Sequence, residues 1–405
     1  MTTPMYDLLL KNGHVIDPLN HLDGKLDVAV ANGKIASVEP DINPALATKV
    51  VDVTGHYVTP GIIDIHVHVY HTREPEGLSI MADAHSFRSG VTTMVDTGTA
   101  GAKHFLHFKR TVIDRVKTRV FAYINIVDLG MQGDFEQDIR TMDPELAAAT
   151  ALMYPDVCVG IKTAHYWTRL PWDAEHPPWA AVDRAVEAGN ICKKPVMVDF
   201  WPRPPERSYQ QLILEKMRPG DIHTHVYAQQ FPILDNDGRG KPNAFLFEAR
   251  QRGIIFDVGH GAGSFWFRNA VPTIQQGFGP DSISTDLHTG NIHGVVVDMQ
   301  TTMSKILNIG MPLQEVIYRS TVTPANEIGH PELGNLSVGA VADVAVFKLL
   351  TGEFSFVDCG KAKMQGDKKL ECAMTLRAGD IVFDPTGLSM PAWQEAPDAY
   401  WRLPW

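Results

Sequence analysis

Eight short runs rich in valine and isoleucine recur through the middle of the chain, at 62–68, 91–96, 120–126, 157–162, 196–200, 222–227, 254–258 and 283–286. Successive runs begin roughly 25–40 residues apart, the repeat length of a strand followed by a helix. They show little polar alternation, so each strand is expected to be buried on both faces, as in a parallel sheet covered by helices. Eight such units suit a closed (β/α)8 TIM barrel better than an open sheet.

The two ends of the chain read differently. Apolar runs at 6–10, 27–30 and 35–38 are separated by Asn12-Gly13 and Asn32-Gly33, and similar runs return at 343–347 and 374–383. Asn-Gly between apolar runs is a strong hairpin signal. The pattern predicts a small β-sandwich domain built from both chain ends, 1–56 and 336–390, around a barrel at 57–335. The last segment, 391–405, carries Trp393, Trp401 and Trp405 among prolines and is expected to pack on a neighbouring surface or subunit.

Composition narrows the function. The 405 residues are 44% hydrophobic and 20% charged, enough for one large domain and a small one. Lys and Arg number 36 against 47 Asp and Glu, a net charge of −11, which argues against nucleic acid or an anionic membrane as partner. Cys158, Cys192, Cys359 and Cys372 form no CxxC pair and read as reduced thiols. The N-terminus lacks a basic region followed by a long apolar run, and no window reaches the ~18 apolar residues of a membrane span. A cytoplasmic homo-oligomer acting on a small molecule is the expectation.

In a βα barrel the reactive groups sit at the C-terminal ends of the strands. The first run ends in Asp64-Ile65-His66-Val67-His68, and alternate residues of a strand face the same side. His66 and His68 can therefore offer two imidazoles to one metal, a donor type that suits zinc. The fourth run ends in Lys162, costly to bury as a cation. That lysine is either an ion-pair partner or, after reaction with CO₂, a carbamate able to bridge two metals. The sixth run ends in a second HxH, His223-Thr224-His225, the seventh in Gly259-His260-Gly261, and the eighth in Asp286-Leu287-His288.

The stretch from Val58 to His68, VTPGIIDIHVH, together with Gly339-Ala340-Val341-Ala342-Asp343-Val344-Ala345-Val346, resembles the amidohydrolase superfamily. More narrowly the chain resembles its deacetylase-like, or dihydroorotase-like, metallohydrolases, over residues 5–385. The resemblance implies that His66 and His68 bind one divalent metal, that Lys162 bridges as a CO₂-derived carbamate, and that His225 binds a second metal. It makes Asp286 a metal ligand, the general base and then the proton donor, and it turns His260 and His288 toward the substrate. The sequence departs from the family at the fifth run, where Asp199 stands in place of the usual histidine. As a ligand, its carboxylate would favour harder ions such as Mn more than imidazole does.

Dihydroorotases resemble HxHxR at the first strand, whereas this chain has Tyr70 at the third of those positions. Arg203 and Arg207 are the candidate anchors for a substrate carboxylate. Tyr166, Trp167, Trp172, Trp201 and Trp266 could form an aromatic wall. The expected reaction is hydrolysis of an acyl amide, such as an N-acyl amino acid, or a related acyl ester, by water activated on one or two ions, with zinc expected. A cyclic amidase of the hydantoinase, dihydropyrimidinase or dihydroorotase kind is the alternative. A non-catalytic barrel is disfavoured by the presence of every ligand type.

Overall fold

The computed structural model describes residues 4–70, 78–131, 138–165, 172–174 and 176–403. The strands in chain order are β1 (Tyr6–Asp17), β2 (Leu22–Ala31), β3 (Lys34–Glu39), β4 (Ala47–Asp52), β5 (Tyr57–Pro60), β6 (Ile62–Val67), β7 (Val91–Gly101), β8 (Arg119–Asn125), β9 (Cys158–His165), β10 (Val196–Phe200), β11 (Ile222–His223), β12 (Ile255–Phe256), β13 (Val344–Val357), β14 (Lys363–Arg377) and β15 (Asp380–Phe383).

Strands β6 to β12 form one sheet in sequence order, and every neighbouring pair is parallel. The sheet curls until its two edges share a partner. Residues 282–287 make parallel bridges to β6 through Val67 and Leu287, and to the residue after β12 through Asp257 and Ser282. Asp286 N donates to His66 O at 2.6 Å, and Val258 N donates to Ser282 O at 3.1 Å. A single segment can reach both edges only if the sheet wraps round, so the architecture is TIM-barrel-like.

Among the described residues the run expected as the eighth strand appears only as these bridges. The physical reason lies in Asp286, whose φ of 51° breaks the extended backbone. His225, with φ of 63°, likewise ends the sixth run early, and β11 spans only Ile222–His223.

Ile63, Ile65, Val95, Phe121, Tyr123, Val159, Met197 and Ile222 form one buried cluster with Ala325, Ile328 and Leu333. Side chains from six strands touch one another in this way only inside the curl, so the cluster is the floor beneath the strand ends. Outside the curl, Ala181, Val182, Ala185, Ala188 and Cys192 of the helix Ala180–Cys192 face inward at helical spacing. Caps fix where such helices begin: Asp143 accepts from Leu146 N before the helix Pro144–Met153, and Asp298 accepts from Thr301 N before the helix Met299–Ile309. No helix among the described residues is long and apolar enough to cross a membrane. All four cysteines are free thiols.

Both chain ends meet in a second, mixed sheet of order β15-β14-β13-β5-β1-β2-β3, with β4 also paired to β1. The sheet folds over on itself: Gly379, before β15, packs beside Gly33, before β3, and apolar side chains of β1, β2, β13 and β14 share one buried cluster, while hydrogen bonding runs continuously through it. The long β1 explains this: it pairs with β4 through Tyr6–Lys11, shifts register between Leu10 and Gly13, then pairs with β5 at His14 and Val15. β5 also pairs with β13, then runs almost directly into β6, which ties the terminal sheet to the barrel. In the tail, Trp393 and Trp401 pack against each other with ring centroids 5.8 Å apart and remain exposed. Trp405 lies outside the described residues.

Candidate metal centre and its cavity

β6 delivers His66, and His68 follows one residue beyond its end; both are buried. Each imidazole is tethered on the side away from the cavity, His66 Nδ1 lying 2.8 Å from Thr224 Oγ1 and His68 Nδ1 2.8 Å from Thr99 Oγ1. Their Nε2 atoms both turn toward Asp286 Oδ1, at 3.5 Å from His66 and 3.0 Å from His68. His225 stacks obliquely on His66 at 4.9 Å between centroids and is held by Gly259 O, 2.5 Å from its Nδ1. His225 Nε2 in turn lies 3.1 Å from Asp199 Oδ2. Lys162 closes the ring, its Nζ 4.0 Å from the same Asp199 oxygen.

Three imidazoles, two carboxylates and an amine thus converge from five different strand ends. His66, His225 and Asp286 offer donor atoms within 4.8 Å of one another. Lys162 is 1% exposed, and its Nζ has no hydrogen-bond partner among the described residues. A buried amine without a hydrogen bond is costly. The donor set fits a borderline divalent cation, and the position of Lys162 between Asp199 and the histidines fits a bridging group.

The electrostatics separate the members of the cluster. Burial holds His66 well below the usual imidazole range, and Lys162 and the other imidazoles push the same way. Burial also opposes a charge on His225, but the Asp199 carboxylate outweighs it and raises that imidazole. For Asp286, burial pushes upward, yet the hydrogen bond with His68 and the surrounding imidazoles hold the carboxyl below its ordinary value. Behind it, burial raises Asp64 to about 7 against the pull of its hydrogen bonds from Thr285. Thr285 Oγ1 donates to Asp64 Oδ2 at 2.6 Å, which anchors the segment carrying Asp286.

Two glycines leave room for the cluster. Gly98 has φ of 79°, and a Cβ there would stand 2.8 Å from Lys162 Cβ. Gly261 has φ of 57°, and a Cβ there would stand 2.6 Å from Asp286 Oδ2.

The six groups form the base of a cavity of about 290 Å³. Trp201, Gln229, Gln230, Ser264 and His288 are among the residues of its wall. His288 accepts from Gly290 N at its Nδ1 and stands 6.3 Å from His68 between centroids. The other residues expected to face substrate are placed elsewhere, outside the described lining of the cavity. His260 is wholly buried, its Nε2 2.7 Å from Lys305 Nζ and its ring stacked on Phe265. Tyr70 is buried against Phe108, and its hydroxyl lies 2.9 Å from His107 Nδ1. Arg203 and Arg207 pair backbone to backbone, and the buried Arg207 guanidinium lies between Trp172 and Phe200, 4.9 and 5.2 Å from their centroids. Trp266 is covered by Arg268 and donates to Gly263 O. Tyr166 and Trp167 lie outside the described residues.

Sequence reasoning missed Gln229, Gln230 and Ser264. The two glutamines follow His225 by four and five positions in the loop after the sixth run, the one signal that could have found them.

No protein-family profile matches the chain. A deacetylase of Enterococcus faecalis is 30% identical over 382 residues, 93% of this chain and 99% of the relative. Among solved structures, an adenine deaminase superposes with a TM-score of 0.82 at 28% identity, covering 94% of this chain and 100% of that one. A dihydroorotase superposes with a TM-score of 0.79 at 27% identity, covering 93% and 99%. With a relative aligned along nearly its whole length and a cluster of imidazoles, carboxylates and a lysine at the strand ends, the chain belongs to the amidohydrolase superfamily, in its deacetylase-like branch.

Proposed function

We propose that the protein is a metal-dependent hydrolase of an acyl amide, such as an N-acyl amino acid, or of a related acyl ester. The observation that carries this reading is the convergence of six donor groups on one cavity floor, with the buried Lys162 amine among them. His66, His68 and Asp286 would hold one divalent ion, His225 and Asp199 a second, and Lys162, as its carbamate, would lie between them. Zinc is the proposed metal, with Mn the alternative because Asp199 replaces an imidazole by oxygen. When bound, such ions supply a water acidified to roughly pKa 7–9 and a Lewis acid for the scissile carbonyl.

The chain's own residues then handle orientation and protons. Asp286, held below the usual carboxylate range, is ionised at neutral pH and can accept a proton. Its Oδ1 faces the two imidazoles, and its Oδ2 faces Gly261. Oδ2, the oxygen not turned toward the imidazoles, would take the proton of the attacking water and return it to the leaving nitrogen or oxygen. Trp201 offers an aromatic surface to the acyl or side-chain group, and His288, Gln229 and Gln230 offer polar contacts along the wall. The reading includes a complete eightfold barrel with 282–287 as its last stave, a homo-oligomer that covers the exposed tryptophans of the tail, and a cytoplasmic location.

The dihydroorotase structure supports a second reading, ring opening of a cyclic amide. The two are separated by assaying the metal-analysed protein against N-acyl amino acids, acyl α-hydroxy acids and cyclic ureides. Faster release of carboxylic acid from the acyclic substrates is expected. Faster opening of hydantoins or dihydropyrimidines would replace the first reading by the second, and inertness toward all three with metal bound would end both.

A further inference from the structure

The turn between β13 and β14 reaches the loop 260–267, which carries Gly261 beside Asp286 Oδ2 and puts Ala262, Gly263 and Ser264 on the lining of the cavity. The barrel gives this loop two backbone anchors, Gly261 N donating to Thr285 O at 2.9 Å and Trp266 N to Tyr227 O at 3.3 Å. The turn 358–362 adds its own grip. Cys359 N donates to Phe265 O at 2.9 Å, and Phe265 N donates back to Cys359 Sγ at 3.3 Å. The thiol in turn donates to Gly261 O at 3.4 Å. Asp358 is buried, and its Oδ1 accepts from Ala362 N at 2.8 Å while its Oδ2 accepts from Phe267 N at 2.9 Å. One carboxylate thus closes the turn and fastens the loop to it. Gly360 lies so close to the Trp266 ring that a Cβ there would overlap it.

Lys305, from the helix Met299–Ile309, completes the connection. Its buried Nζ donates to Val357 O, at the end of β13, at 2.8 Å, to His260 Nε2 at 2.7 Å and to Val295 O. An ammonium has three protons, and here each has an acceptor. His260 suits its part: its Nδ1 lies 3.0 Å from Gly261 O, which can only accept, so the ring proton sits on Nδ1 and Nε2 is bare for Lys305. Loops that carry function come from the least stable parts of a fold, yet a group that takes part in a reaction must keep its place to within about 1 Å. We propose that Lys305 and the turn 358–362 act as one clamp on the loop 260–267, fixing Gly261 against Asp286 and Ser264 in the cavity wall. Lys305, Asp358 and Cys359 are not among the residues lining the cavity, so they are positioning residues that act through the loop. The inference rests on the hydrolase reading above and deepens it, because it makes the terminal sheet a determinant of the cavity's geometry.

The test combines amide hydrogen–deuterium exchange on the metal-free full chain with steady-state kinetics on an N-acyl amino acid and metal analysis. Asp358→Ala should speed exchange of the Phe267 amide by about 10–100-fold, the loss of one hydrogen bond to a charged acceptor. It should also lower kcat by about 10-fold or more, with KM and metal content much less affected. Asp358→Asn keeps one acceptor oxygen and should restore part of both readouts. Gly360→Ala meets no left-handed backbone strain and acts by pressing on Trp266, so it should show the same local change and the same split between kcat and KM. Lys363→Ala, exposed on the same hairpin, should change neither. Unchanged exchange at 260–267 in both Asp358→Ala and Gly360→Ala overturns the clamp. So does faster exchange there with unchanged kcat, or faster exchange spread over the whole barrel, which would make the turn a folding element only. Failure of the unaltered, metal-loaded protein to hydrolyse any acyl substrate would instead remove the hydrolase reading, while the exchange pattern still decides whether the turn holds the loop.

Discussion

Replacing Gly261 by alanine should damage turnover more than its single methyl suggests. The residue sits at φ of 57°, and the added Cβ would stand 2.6 Å from Asp286 Oδ2. Ordinary van der Waals contact begins near 3.4 Å, so the carboxylate or the loop must retreat by about 0.8 Å. Misplacing a reacting group by about 1 Å can cost roughly 10²-fold in rate. Forcing an L-residue into the left-handed region adds about 1–2 kcal/mol of instability. Gly261→Ala should therefore lower kcat on an N-acyl amino acid by about 10²-fold, with KM and metal content much less affected. The assay is steady-state kinetics with metal analysis of the same preparation. A kcat within about threefold of the unaltered enzyme would show that Asp286 Oδ2 is not the proton carrier, or that the loop yields without moving it.

Asp286→Asn should keep most of the bound metal, since His66, His68 and the second set of ligands remain, yet lose turnover by about 10²–10⁴-fold; near-normal rates would refute the proton role. Lys162→Ala should lower metal occupancy, and short carboxylic acids should partly restore activity by standing in for the carbamate; unchanged occupancy would contradict the bridging position. Burial pushes Lys305 down to about 8 from 10.5, so the folded state disfavours its proton. That cost is full below pH 8 and fades as pH rises toward 10.5. Relative to Lys305→Met, the unaltered protein should thus gain about 2–3 kcal/mol of stability between pH 7 and pH 10 in denaturant titrations, and a pH-independent difference would contradict the burial of that charge.

Much of the fold was legible because burial on both faces leaves a plain mark: β6, β7, β8, β9 and β10 coincide with runs of Val and Ile. The β6–β7–β8–β9 neighbours follow in chain order because parallel strands joined by helices lie side by side. Legibility failed where the backbone serves chemistry. Both the sixth and the eighth runs read as strands through His225 and Asp286, yet these two residues adopt positive φ. Nothing in an apolar run announces that a residue near its end will turn out of the sheet, a form of strain that gathers at functional sites.

The candidate site divides along a similar line, between residues whose chemistry is costly wherever they are buried and residues whose chemistry is commonplace. A lysine ending an apolar strand, or two histidines at alternate positions, must be explained by a partner, so Lys162, His66 and His68 could be singled out without coordinates. Thr99, Thr224, Gln229 and Ser264 are of types that occur everywhere on protein surfaces, and only their neighbours give them meaning. The same reasoning explains where strand-end position misled. His260 ends a run as His66 and His225 do, but Lys305, distant in the chain, lies 2.7 Å from its Nε2, and His260 is not among the residues lining the cavity. Arg207 offered a cation for a substrate carboxylate, but its guanidinium lies against the rings of Trp172 and Phe200. A charged side chain in a strand-end loop thus identifies a substrate contact only when no aromatic face or buried base nearby competes for it, and that competition is settled by tertiary packing.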